Sequence, residues 1–155
     1  MKIKLFVTDV DGTLTDGHIY VGENGEVMKA FNVKDGYAIV KTLPEHQIVP
    51  VIITGKTSEI VKKRAAELKI SEVYQNVSDK LPLLKEIAEK YGVSPDEVAY
   101  IGDDVNDLDC IGWCGVSACP SDAVEEVLSK VDFICKREGG KGAVREFIDW
   151  IVKES

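Results

Sequence analysis

Strand-length apolar runs alternate with helix-length apolar stripes along this chain, and that order limits the fold more than any other feature. Lys4-Leu5-Phe6-Val7 ends in Thr8-Asp9 and reads as a buried strand that delivers acidic residues at its carboxyl end. A hairpin is predicted next, with His18-Ile19-Tyr20-Val21, a turn at Gly22-Glu23-Asn24-Gly25, and a return strand from Glu26 to Phe31. Asp35 is placed to cap a short helix ending near Pro44, and Ile48 to Ile53 reads as a strand that tolerates Pro50 near its start. Thr57 or Ser58 then caps a predicted helix carrying Ile60, Val61, Ala65 and Leu68 on one face. Val73 to Val77 reads as a short strand, and Leu81, Leu84, Ile87, Ala88 and Tyr91 form a helical stripe that stops at Gly92. Ser94-Pro95-Asp96-Glu97 is a capping box with proline at the first helical position, predicted as a single turn before a strand from Val98 to Ile101. Gly115 to Ala118 and Phe133 to Cys135 are further predicted strands, covered by helices around Ala123–Leu128 and Ala143–Val152.

This order predicts an α/β fold, a Rossmann-like doubly wound parallel sheet with helices on both faces and a hairpin after the first strand. No repeat or linker interrupts it, and 155 residues fit one domain, 1–155. Such sheets bind ligands outside the carboxyl ends of their strands. The polar groups fall there: Asp9 and Asp11 after the first strand, Thr54 after Ile52-Ile53, and Asp103 after Tyr100-Ile101.

Composition narrows the chemistry. The formal net charge is −8, which speaks against a nucleic-acid partner, since counterion release needs a basic face. An anionic ligand would have to meet locally gathered Lys, Arg or metal. No apolar run approaches the ~20 residues that cross a bilayer, and the opening Met1 to Val7 is too short a stretch for a signal peptide before Asp9 and Asp11. A cytoplasmic protein without a membrane partner is expected. The four cysteines form no CxxC pair and read as reduced, mostly buried thiols. With only His18 and His46, a histidine-based triad is disfavoured, so an enzyme of this sequence must use carboxylates as its acids and bases.

Asp9 and Asp11 stand one residue apart at a strand end, followed by Gly12, which permits a tight turn, and Asp103-Asp104 closes another strand. Carboxylates gathered in one crevice need a cation, and Mg2+ suits them, taking one or two carboxylates, waters and phosphate oxygens. The string Asp9-Val10-Asp11-Gly12-Thr13-Leu14-Thr15 resembles the first motif of the haloacid dehalogenase superfamily. Thr54 resembles its second motif, Lys80 its third, and Gly102-Asp103-Asp104-Val105-Asn106-Asp107 its fourth, all in family order. The resemblance implies a phosphatase in which Asp9 is the nucleophile and Asp11 the general acid and then base. It implies that Thr54 and Lys80 hold the phosphoryl group, that Asp9, Asp11 and Asp103 bind magnesium, and that Asp104 and Asp107 support them. A phosphoacceptor receiver-like module is the reading from another class, but receivers phosphorylate the end of the third strand and lack this first motif. An inactive interaction module is disfavoured because no motif position is missing.

Positions 12 to 53 and 81 to 97 leave no room for a cap domain. Asp16-Gly17, Phe31-Asn32-Val33-Lys34-Asp35-Gly36, Ile53-Thr54-Gly55 and Gly139 to Glu146 resemble the capless 3-deoxy-D-manno-octulosonate 8-phosphate phosphatases. That resemblance implies a phosphorylated 2-keto-3-deoxy sugar acid as substrate and a homotetramer that closes each site, with the hairpin at an interface. It implies substrate contacts from Asp11, Asn32, Val33, Lys34, Asp35, Gly36, Gly55, Lys56, Arg64 and Lys80. Lys56 and Val40 stand where the octulosonate enzymes often carry arginine, so the related nonulosonate 9-phosphate is the alternative substrate.

Overall fold

The computed structural model describes residues 1–155. Its six-stranded sheet has the order β5-β4-β1-β6-β7-β8, with every pairing parallel. The strands are β1 (Leu5–Thr8), β4 (Val49–Ile53), β5 (Glu72–Tyr74), β6 (Val98–Ile101), β7 (Val116–Cys119) and β8 (Phe133–Ile134). A separate antiparallel hairpin, β2 (Tyr20–Gly22) and β3 (Gly25–Met28), follows β1. This is the predicted doubly wound architecture. The central strand β1 has all four residues buried, and its Thr8 lies opposite Ile52 and Ile101, so three strand ends meet at one rim.

Alternation along β1 divides the core. Leu5 and Val7 face one side with Val51, Ile53, Val98 and Tyr100, against apolar residues of α4 (Lys80–Tyr91), α5 (Leu108–Trp113) and α6 (Glu125–Leu128). Phe6, Ile52, Ala99 and Ile101 face the other side. There they meet the π turn (Ala38–Thr42) that continues α1 (Val33–Tyr37) into α2 (Leu43–Glu45), together with α3 (Glu59–Glu67) and α7 (Ala143–Glu154). Phe147 of α7 packs 5.7 Å from Phe6 and 6.0 Å from Phe133, ring centre to ring centre. Truncating such a buried ring to alanine costs about 3–5 kcal/mol. No helix is long and apolar enough to cross a membrane.

Local signals account for most boundaries. Ser58, extended and outside α3, accepts from the Val61 amide, as an N-cap should. Gly92 ends α4 in the left-handed conformation, and the Ser94–Glu97 capping box holds a single 3-10 turn. Pro50 sits inside β4, but β5 pairs only from Val51 onward, so its missing N–H falls outside that ladder. Three expectations shift. The return strand of the hairpin ends at Met28 instead of Phe31, because β2 begins at Tyr20 and leaves later residues without a partner. The fifth strand stops at Tyr74, since Asn76 turns with positive φ and the Val77 amide donates back to the Thr54 carbonyl. The α1 cap is Asn32, whose side chain accepts from the Lys34 amide, whereas buried Asp35 accepts from the Arg145 amide at the start of α7.

Candidate active site

Asp9 follows β1 directly and is almost wholly buried. Lys80, the first residue of α4, reaches it from the buried side, with Nζ 3.2 Å from Asp9 Oδ1 and 2.9 Å from Asp107 Oδ1. Burial pushes the Lys80 ammonium toward neutrality, but the Asp9 and Asp107 carboxylates outweigh it and raise its pKa, so it is a fixed cation. Asp107 has no exposed surface and accepts from four donors: Lys80 and the Tyr100 hydroxyl on Oδ1, and the Asp103 and Asp104 amides on Oδ2 at 3.0 and 3.2 Å. It thereby fixes the loop after β6 that carries Asp103. Gly102 is required there, because a Cβ would stand 2.3 Å from Asp107 Cγ.

Ligand oxygens of Asp9, Asp103 and Asp107 lie within 4.8 Å of one another. Asp107 has spent both oxygens on its four donors, which leaves Asp9 and Asp103 facing the cavity. Burial is the main cause that raises the Asp9 carboxyl to about 6 and the Asp103 carboxyl to about 8, and each is pushed further by a neighbouring carboxylate, Asp107 and Asp9 respectively. A cation between them favours full charge on both near neutral pH. Hard oxygen donors without a histidine or thiolate fit magnesium. Thr13 Oγ1 donates to Asp103 Oδ1 at 3.0 Å and aims it. Gly12, at φ +87°, lets the backbone pass: a Cβ would lie 2.0 Å from Asp103 Oδ2.

A cavity of about 270 Å³ gathers Asp9, Asp11, Gly12, Gly17, Thr54, Gly55, Lys56, Asp103, Asp104 and Asn106, with no hydrophobic side chain among them. The sequence-predicted catalytic and magnesium-binding groups thus converge, together with Gly55 and Lys56. The β4–α3 loop sets Thr54 by backbone bonds, its amide donating to the Tyr74 carbonyl. Asn106 and Gly17 fall within the family-like motifs, although the resemblance implies no role for either. Lys29 was missed altogether: its ammonium lies 2.6 Å from Asp11 Oδ1, and its side chain is only 4% exposed. The available signal was one lysine among Met28, Ala30 and Phe31, which reads as ordinary hairpin surface.

Other sequence-predicted substrate contacts do not line this cavity. Asn32 and Lys34 line a different cleft of about 450 Å³ with Arg137, Lys141, Gly142, Arg145, Glu146 and Asp149, which holds no catalytic group. Val33 is 78% exposed, and Asp35 is buried under α7. Gly36 packs against the Arg64 guanidinium, which also lies over the Phe31 ring.

Residues 51–148 match the family model of haloacid dehalogenase-like hydrolases. The chain is 42% identical over 151 residues to the 3-deoxy-D-manno-octulosonate 8-phosphate phosphatase KdsC of Escherichia coli (strain K12), covering 97% of this chain and 80% of that protein. A crystal structure of the Yersinia pestis 3-deoxy-D-manno-octulosonate 8-phosphate phosphatase superposes with a TM-score of 0.94 at 42% identity, covering 97% of this chain and 81% of the other. The Moraxella catarrhalis phosphatase of the same name, in complex with magnesium ion, phosphate ion and KDO, superposes at 0.93 with 40% identity, covering 97% and 86%.

Proposed function

Because the chain belongs to the haloacid dehalogenase-like hydrolases, we propose that it is a magnesium-dependent phosphatase that hydrolyses 3-deoxy-D-manno-octulosonate 8-phosphate through an aspartyl phosphate on Asp9. The observation that carries the chemistry is Asp9 itself, held by Lys80 at 3.2 Å at the rim where Asp11, Thr54 and Asp103 converge.

An Asp9 carboxylate oxygen attacks phosphorus, and the bond from phosphorus to the sugar oxygen breaks. Asp11 gives its proton to that leaving oxygen, then takes a proton from the water that cleaves the aspartyl phosphate. Thr54 donates to the phosphoryl oxygens, while Lys80 holds positive charge beside the nucleophile through both steps. Asp9, Asp103 and the Asp11 carbonyl oxygen would hold magnesium, which when bound neutralises the charge shared by the phosphoryl group and the carboxylates.

The substrate carries a carboxylate as well as a phosphate. Lys56 lines the same cavity and is the cation this chain offers to that second anion. Arg64, turned toward Phe31 and Gly36, and the Asn32–Gly36 stretch would serve a site only across an assembly. The reading therefore includes a homotetramer of capless single domains. Its support is the hairpin's exposed apolar surface, with Ile19 55%, Val21 71%, Val27 63% and Met28 54% exposed. It also includes a cytoplasmic location, in keeping with four free cysteines. Lys56 and Val40 in place of arginine favour the nonulosonate 9-phosphate as the second reading.

Phosphate release across 2-keto-3-deoxy sugar acid phosphates and plain hexose phosphates tests the assignment. The octulosonate ester should be used best, and a clear preference for hexose phosphates would overturn the substrate while leaving the phosphatase in place.

A further inference from the structure

The hairpin carries one lysine that does not behave as hairpin surface. All four residues of β3 are exposed, yet the Lys29 side chain just beyond it is 4% exposed and points inward. Its ammonium lies 2.6 Å from Asp11 Oδ1 and 2.9 Å from Glu26 Oε2. The other Glu26 oxygen accepts from the Ser58 hydroxyl at 2.5 Å, and Ser58 is the N-cap of α3. Ser58 is held in turn by Gln75, whose Oε1 accepts from the Ser58 amide at 2.6 Å and whose Nε2 donates to the Ser58 carbonyl at 3.2 Å. One polar chain thus runs from the loop after β1, through the hairpin and the start of α3, to the loop after β5.

We infer that Lys29 is a positioning residue for the reaction: held by Glu26, which Ser58 anchors in turn, it grips Asp11 Oδ1 and leaves Oδ2 as the oxygen that exchanges the proton. This rests on the proposed role of Asp11 as acid and base. A carboxylate on a flexible loop turn rotates about its Cβ–Cγ bond and presents its working oxygen in many directions. Two charge-assisted contacts through a buried ammonium remove that freedom. The Lys29 side chain is only 4% exposed and its ammonium is held from the far side by Glu26, which makes it an anchor for Asp11. In the first half-reaction the bond from Asp9 to phosphorus forms, the bond to the leaving oxygen breaks, and that oxygen receives the Asp11 proton. In the second, a water oxygen bonds phosphorus, the Asp9–phosphorus bond breaks, and a water proton passes to Asp11. Both transfers use the same aimed oxygen. A purely structural latch would need a carboxylate, but it would have no reason to choose the one that handles the proton.

Leaving-group dependence separates the two roles. 4-Nitrophenolate departs without a proton, whereas a primary alkoxide needs one. In Lys29→Met, the burst of 4-nitrophenolate that reports Asp9 phosphorylation should stay within about threefold of wild type, while phosphorylation by a primary-alcohol phosphate falls roughly 10- to 100-fold. Breakdown of the aspartyl phosphate should slow for both esters, with the substrate dissociation constant little changed, and Lys29→Arg should recover part of the loss. Glu26→Gln keeps Lys29 but frees its far side, should give a smaller loss of the same pattern, and decides the matter if Lys29→Met does not fold. Equal losses of phosphorylation on both esters, or a rise in KM with unchanged kcat, would overturn the inference. Absence of any leaving-group dependence in Asp11→Asn would instead overturn the role of Asp11 on which it rests.

Discussion

Replacing Asp107 by asparagine leaves the shape of the side chain and removes one acceptor oxygen. In the native protein two donors, Lys80 Nζ and the Tyr100 hydroxyl, converge on Oδ1, and two backbone amides, of Asp103 and Asp104, converge on Oδ2. An amide has a single carbonyl oxygen, so either orientation turns an NH2 group toward two donors. One orientation leaves the part-buried Asp103 and Asp104 amides without that acceptor. The other sets the NH2 against the Lys80 ammonium and leaves Asp9 as its only carboxylate partner. Leaving a buried donor unsatisfied costs about 1–3 kcal/mol, and breaking one side of a buried ion pair about 3–5 kcal/mol. A loss of about 3–5 kcal/mol is expected, read from urea unfolding in EDTA so that metal makes no contribution. Tyr100→Phe removes only one of the four donors and should cost about 1 kcal/mol. If Asp107→Asn loses less than about 1 kcal/mol in EDTA while its magnesium affinity collapses, Asp107 is a metal ligand and the assignment of its oxygens to the four donors is wrong.

Asp35 makes a prediction that depends on pH. Burial raises its carboxyl to about 6, against the lowering effects of the Arg145 amide, Arg145 and Arg64, and its Oδ2 has no partner. The folded state then binds more protons than the unfolded state between the ordinary carboxyl value and about 6, so stability is lost as pH rises through that window. Asn keeps an oxygen for the Arg145 amide and carries no charge. Asp35→Asn should therefore gain on wild type as pH rises, by up to about 3 kcal/mol at pH 8, with the gain vanishing toward pH 4. Urea unfolding at both pH values measures it, and an equal destabilisation at both would refute it. Gly12→Ala forces a Cβ to within 2.0 Å of Asp103 Oδ2 at a backbone φ of +87°. With Asp103 displaced, magnesium-dependent phosphate release should fall roughly 100-fold, and wild-type activity in that variant would contradict the placement of Asp103.

The sheet was legible because each signal was local and unopposed. Val98 to Ile101 is a continuous apolar run between a capping box and Gly102, and the structure returns those bounds unchanged. The rim of the candidate site is legible for the same reason, since Asp9 and Thr54 directly follow buried strands and Asp103 comes two residues after one. What the sequence hid depends on contacts between distant segments. The local pattern places Asp35 as the cap of its own helix, but it serves α7, 110 residues away in sequence. Asn32, three positions earlier, does the local work. Lys29 was invisible because neither Asp11, 18 residues earlier, nor its inward turn leaves a periodic mark. The thiols behaved as read: Cys110, Cys119 and Cys135 are buried, and burial pushes Cys110 up to about 12, which makes it a poor nucleophile at neutral pH.

The central claim is that the phosphoryl group passes through Asp9. The direct measurement is to quench the enzyme in acid during turnover, reduce the acyl phosphate with borohydride, and read the chain by peptide mass spectrometry. The account predicts conversion of the position 9 side chain to homoserine in wild type, its accumulation in Asp11→Asn, and no conversion in an inactive Asp9→Asn. Full turnover by Asp9→Asn, or reduction at any other carboxylate, would contradict it.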